Sequence, residues 1–206
     1  MDLSADETIL EACRQGDGDA VGACLEAFRE RLVRTVDLRL DARVRGRIEA
    51  RDVVQDAFVE VLQRLSDYAQ TRPMGFFLWV RFLTLQKVLQ VHRAHLGAER
   101  RDAGREAPLA QRIDPGASSL ALASAFLDGG TSPSRATVRA DEHERLRRAL
   151  EELNEIDREV LVLRHFEHLS NAEAAEVLGL SGATASQRYV RALKRIQSIL
   201  GGEGEA

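Results

Sequence analysis

Six side chains near the C-terminal end, Thr184, Gln187, Arg188, Arg191, Lys194 and Arg195, fall on one side of a helix drawn at 3.6 residues per turn, with Arg188 at the edge of the set. Their chemistry is that of nucleic-acid recognition. A glutamine or an arginine can bond a base edge through two atoms at once, and lysine or arginine can neutralise a phosphate. Between Ser181 and Gly202 there are four cations and no acid, in a chain whose net charge is −4. Any surface helix carries a charged outer face, but an isolated basic patch on an acidic chain is an electrostatic footprint. Thr184, Gln187 and Arg188 stand in the N-terminal part of the helix and suit base edges. Arg191, Lys194 and Arg195, further along, suit phosphates.

The elements that would present this face are legible nearby. Ser170 followed by Glu173 is a capping box, which starts a helix whose small apolar side is Ala174, Ala175, Val177 and Leu178. Gly179 stands where the chain needs a left-handed residue to stop. Ser181 can then cap the next helix, whose inner stripe is Ala185, Tyr189, Ala192, Leu193, Ile196 and Leu200. The pattern predicts a helix-turn-helix closed by a basic helix.

The whole chain has 206 residues and is 44% hydrophobic, enough for two small cores. No period-2 run is sustained, aromatics make up only 5%, and apolar residues recur at three and four, so the expected fold is all-α. No apolar run of membrane-spanning length and no secretory pattern occurs, which points to a cytoplasmic protein with no membrane partner. Cys13 and Cys24 form no CxxC and read as small buried hydrophobes. His92 with His95, and His165 with His168, lack carboxylates or thiols at matching spacing, so neither a metal nor any other cofactor is expected. There is no Gly-rich phosphate loop, nucleophile elbow or HExxH, and paired carboxylates lie on faces rich in other charges. The expectation is a protein that is not an enzyme. Residues 103–136 gather three of the four prolines with much Gly and Ser and read as a linker. Its apolar patch, residues 120–127, reads as either a short helix or a docking segment. The resulting division is 1–102, 103–136 and 137–206.

Four helical stretches precede the linker, near residues 8–14, 19–40, 50–65 and 76–96. Residues 1–30 hold eight acids and two arginines, so this end should avoid DNA. The third stretch places Val54, Phe58, Val61, Leu62 and Leu65 on one side and leaves Asp52, Gln55, Asp56 and Gln63 on a polar, acidic face. The fourth is apolar around most of its circumference, as a central bundle helix is, yet Lys87, Arg93, Arg100, Arg101 and Arg105 make its exit basic. Before it stand Tyr68, Arg72, Phe76 and Phe77, with Trp79 just inside. Aromatics beside cations suit single-stranded nucleic acid, which offers bases to stack and phosphates to pair. The other reading of Phe76, Phe77 and Trp79 is core packing.

Taken together, ARDVVQDAF, FLWVRFLTLQKVLQVHRAH and DREVLVLRHFEHLSNAEAAEVLGLSGATASQRYVRALKRI resemble, in order, three segments of the bacterial RNA polymerase sigma factors of the short extracytoplasmic-function group. They resemble the clamp-binding motif, the helix that melts and reads the minus-ten element, and the domain that reads the minus-thirty-five element. The resemblance implies a specificity subunit in which Asp52, Gln55 and Asp56 meet the polymerase. Tyr68, Arg72, Phe76, Trp79, Lys87 and Arg93 would serve the minus-ten DNA, and Thr184, Gln187, Arg188, Arg191, Lys194 and Arg195 the minus-thirty-five DNA. The implied partners are core RNA polymerase, through its beta-prime clamp and beta flap, promoter DNA and an anti-sigma factor. The chain departs from the family at Gln86 and Gln90, where Asn and Asp are common, and at Ala185 and Ser186, where valine and lysine are. Promoter sequence is therefore not transferable. A stand-alone helix-turn-helix regulator would share only the C-terminal half, and a helical adaptor protein would leave the basic helix idle.

Overall fold

The computed structural model describes residues 7, 9–12, 15, 17–96 and 145–201, with 42, 96, 200 and 201 described by backbone alone. Every regular element among them is helical. The chain divides into two compact units, Met1–Pro115 and Gly116–Ala206. The expected linker and its apolar patch lie outside the described residues, as do Cys13, Arg100, Arg101 and Arg105.

In the first unit residues 9–12 are helical, and Ile9 and Leu10 are buried. Helix α1 (Gly18–Arg39) starts on Asp17, whose carboxylate accepts from the Ala20 N–H at 3.0 Å. A four-residue helix, α2 (Ala42–Arg45), follows on an Asp41 cap. The Asp41 carboxylate also meets Arg43, and these bonds hold its pKa down to about 2. The expected third stretch, near 50–65, is α3 (Ala50–Gln63), and after a break at Arg64 an additional helix follows, α4 (Leu65–Thr71). Helix α4 ends on Arg72, which takes the left-handed conformation at φ 40°, and α5 (Phe76–Leu96) begins four residues later.

Helices α1, α3 and α5 pack mutually. Val21, Leu25, Leu32 and Val36 of α1 meet Val54, Ala57, Phe58 and Val61 of α3 and Val80, Leu83 and Val88 of α5 in one core, all buried. Leu62 corrects the expected stripe: it is half-exposed, one turn from the exposed Val59. Its angular position is at the edge of the apolar side, in the last turn of a helix that ends at Gln63.

The second unit begins, among the described residues, with a helical stretch at 145–151. Helix α6 (Glu155–Leu161) is capped by Asn154 and runs directly into a π turn at Val162–Phe166. Helix α7 (Asn171–Leu178) has the expected capping box: Glu173 N–H donates to Ser170 Oγ at 3.2 Å, and Ser170 N–H donates to the Glu173 carboxylate at 2.7 Å. Gly179, at φ 63°, ends it. Helix α8 (Gly182–Gly201) opens on Ser181, whose hydroxyl accepts from the Thr184 N–H. Asn171 Nδ2 donates to the Gly182 carbonyl at 2.7 Å and so ties the two helix starts together. Ala185, Ala192 and Ile196 are buried as the stripe requires, and α8 packs on α6 and α7.

A Cβ at Gly179 would meet no atom within 4 Å, so the cost of filling the position is the backbone conformation alone. Gly179→Ala should lower stability by about 1 kcal/mol, read as a shift of the denaturant midpoint at constant slope. An unchanged midpoint would show that the turn does not require the left-handed residue.

Candidate nucleic-acid interface

Helix α8 presents its outer face as the wheel predicts, with one revision. Gln187, Lys194, Arg191 and Arg195 are exposed and Thr184 is half-buried, with its hydroxyl on Ser181 Oγ at 2.8 Å. Val190, which the pattern did not single out, stands exposed between Gln187 and Arg191. The revision concerns Arg188. Its guanidinium turns inward, Nη1 lying 2.8 Å from Oδ1 of Asp157 on α6, and its Nε is enclosed with no hydrogen-bond partner among the described residues. Arg191 Nε meets Oδ2 of the same carboxylate at 3.1 Å. Arg195 pairs with Glu152 at 2.8 Å, both roughly half-exposed, a pair that water and salt screen. On the inner side Arg164 lies over the Tyr189 ring, 5.4 Å from its centroid.

The six residues expected at melted DNA do not form one surface. Tyr68, Phe76 and Trp79 are 2%, 1% and 7% exposed. Tyr68 stacks on Trp79 with ring centroids 4.5 Å apart, and Phe76 touches both. Phe28 of α1 closes the cluster against Phe76 and Phe77. These rings are core, which corrects the expectation that they are available to stack bases. The reason is the extra helix: α4 carries Tyr68 down onto α5, and the intervening loop shrinks to residues 72–75. The Tyr68 hydroxyl still serves that loop, donating to the Met74 carbonyl at 3.0 Å. Lys87 is also directed away from its expected role, its ammonium paired with Glu60 of α3, which Arg64 also meets at 2.7 Å. Arg72 and Arg93 are exposed. Phe76 and Arg93 lie 17 positions apart on α5, about 25 Å along its axis.

On α3, Asp52, Gln55 and Asp56 are all exposed and share a face with Val59 and Leu62. Gln55 is held from α1: Arg29 Nη2 donates to its Oε1 at 3.1 Å while the same guanidinium lies over the Phe58 ring. The face is therefore acidic at one end and apolar at the other.

No group of three or more His, Cys, Asp or Glu among the described residues could hold a metal. His92 Nε2 accepts the Asp41 N–H at 3.1 Å, so this ring nitrogen is engaged within the fold. Burial, with His168 nearby, keeps the His165 pKa below its ordinary value. Cys24 is half-buried, less enclosed than expected.

Residues 143–196 match the family described as sigma-70, region 4. The chain is 28% identical over 188 residues to the probable RNA polymerase sigma factor RfaY of Xanthomonas campestris pv. campestris, covering 91% of this chain and 41% of that protein. It is 26% identical over 200 residues to the ECF RNA polymerase sigma factor SigD of Mycobacterium tuberculosis, covering 97% of this chain and 85% of SigD. It is 29% identical over 160 residues to the RNA polymerase sigma factor CnrH of Cupriavidus metallidurans, covering 75% and 74%. All three relatives are RNA polymerase sigma factors, SigD being one of the ECF group, and this chain is similar to them. A solved structure of CnrH in complex with the cytosolic domain of CnrY has the same fold, with a TM-score of 0.54 at 21% identity over 97% of this chain and 99% of that one. The region 4 match ends at Ile196, so it includes Asp157 and the outer-face residues of α8 from Thr184 to Arg195.

The burial of the aromatic cluster sets a prediction. Trp79→Ala should cost about 3–5 kcal/mol of stability, as large aromatic truncations in a core do, whereas Tyr68→Phe should cost only about 1 kcal/mol, the weight of one hydrogen bond. Chemical denaturation of the two variants measures both. A Trp79→Ala protein as stable as wild type would put the indole back on the surface.

Proposed function

We propose that this chain is a promoter-specificity subunit of RNA polymerase, with no chemistry of its own. Gln187 and Lys194 stand exposed on the acid-free outer face of α8, in the segment that matches sigma-70 region 4, and this observation carries the reading. Residues 137–206 would hold the minus-thirty-five duplex, with Thr184 and Gln187 at base edges and Arg191, Lys194 and Arg195 at phosphates. Residues 1–102 would hold the polymerase and the minus-ten element, joined to the second domain through the linker at 103–136.

The minus-ten role narrows to the loop 72–75 and to Arg72 and Arg93, because the neighbouring rings and Lys87 are occupied inside the domain. Tyr68 shapes that loop from beneath through the Met74 carbonyl. The face of Asp52, Gln55 and Asp56, continued by Val59 and Leu62, supports a polymerase contact: carboxylates can meet cations of the clamp at its polar end, and apolar area is removed from water at the other. A partner that keeps the chain from the polymerase fits the same reading, since the related CnrH is solved with the cytosolic domain of CnrY. Work at the polymerase carries a cytoplasmic location with it. Among the described residues no helix is long and apolar enough to cross a membrane.

Charge reversal on α3 tests the polymerase contact. Asp52 is exposed and points away from the core, so Asp52→Arg should fold with wild-type helicity yet bind core polymerase at least about tenfold more weakly, equivalent to 1.4 kcal/mol or more. Affinity of labelled protein for purified core polymerase gives the comparison. Equal affinities at equal helicity would remove α3 from the contact.

A further inference from the structure

Two of the α8 arginines, Arg188 and Arg191, meet Asp157, which is 2% exposed. It occupies the third position of α6, where its main-chain N–H donates to Asn154 Oδ1 at 2.9 Å and its Oδ2 accepts from Asn154 Nδ2 at 2.6 Å. Both carboxylate oxygens then take a cation from α8: Arg188 at Oδ1 and Arg191 at Oδ2. Withdrawing a carboxylate from water is costly, and a hydrophobic residue of similar size often stabilises a protein as much. A buried carboxylate bonded on both oxygens therefore invites a role beyond stability.

The geometry suggests one. Reading a guanine through O6 and N7 takes two guanidinium nitrogens free to face the groove, whereas Arg188 spends Nη1 on Asp157 and has Nε enclosed. Arg191 is held at one edge only, and its side chain remains 61% exposed. We propose that Asp157 is a positioning residue for DNA recognition. It holds Arg188 as a strut between α6 and α8 rather than as a base reader, and it fixes Arg191 towards a single phosphate, so that α8 meets the groove in the register from which Gln187 reads. It also offsets one of the four positive charges of the outer face, and so limits attraction to DNA of any sequence. This rests on the reading of α8 as a duplex-binding helix.

The test uses the full chain and two duplexes of equal length, one selected by the wild type from a random library and one scrambled, titrated over a salt series. Asp157→Asn releases both arginines. It should bind the scrambled duplex more tightly, steepen the log–log salt dependence by about 0.9 for each arginine that finds a new phosphate, and lower the selected-to-scrambled affinity ratio about tenfold, the weight of one base contact. Pairing it with Arg188→Gln removes both charges of the inner pair and should return the slope and the ratio towards wild type. Arg188→Gln alone keeps an amide donor for the Asp157 carboxylate while removing the guanidinium, so it should select the same duplex sequence as the wild type, and this result decides the matter if Asp157→Asn does not fold. Parallel loss on both duplexes with an unchanged salt slope would mean that Asp157 is only structural and would overturn the proposal. So would relaxed base preference in Arg188→Gln. No binding of either duplex by the wild type would remove the duplex-binding reading itself, and the proposal with it.

Discussion

A carboxylate taken out of water must be met by cations, and this constraint organises both units of the chain. In the first, Glu60 of α3 is 7% exposed and collects Lys87 from α5 and Arg64 from the end of its own helix. In the second, Asp157 of α6 collects Arg188 and Arg191 from α8. Removing either acid would leave cations facing a site shaped for a charge, so neither arrangement is a surface ornament of the kind that salt screens away. Each joins a helix with a nucleic-acid role in the proposed function to the helix packed beneath it. Cations that look equivalent on a helical wheel are thereby sorted into those that hold the domain together and those that face solvent.

The aromatic residues obey the same logic of sorting by burial. Tyr68, Phe76, Phe77, Trp79 and Phe28 make a continuous set of ring contacts where α1, α4 and α5 converge. A ring so placed contributes by excluding water and by fixing the loop above it, as Tyr68 does through Met74. The exposed Arg72 then opens a loop whose shape is set by this packing, while Arg93 stands exposed at the far end of α5.

Much of the fold was legible in the sequence because it rests on local signals. The capping box at Ser170 and Glu173, the stop at Gly179 and the stripe through Ala185, Ala192 and Ile196 depend on neighbours within a few residues. So do the starts of α1 and α5, which fall within one residue of expectation. What escaped was short or long-range. Helices α2 and α4 are too brief for periodicity to reveal, and the break at Arg64 has no Gly or Pro to announce it. The Asn154-x-x-Asp157 spacing could have marked a helix start, yet nothing local says that Asp157 meets an arginine 31 positions away. Helical spacing placed Arg188 at the edge of the outer face, and only the position of α6 decided which way it turned. For Phe76 and Trp79 the sequence left both readings open, and Tyr68 was assigned to DNA, since composition does not distinguish a buried aromatic cluster from an exposed one.

The central claim is that the chain gives RNA polymerase its choice of promoter, and run-off transcription from a library of random upstream sequences tests it most directly. Purified core polymerase with the chain should yield discrete transcripts that share an upstream element, while core polymerase alone should not, and Asp52→Arg should reduce them all without changing the element. The same transcripts with and without the chain would contradict the account, and selective duplex binding by the chain in such an experiment would indicate a regulator that acts without the polymerase contact proposed for α3.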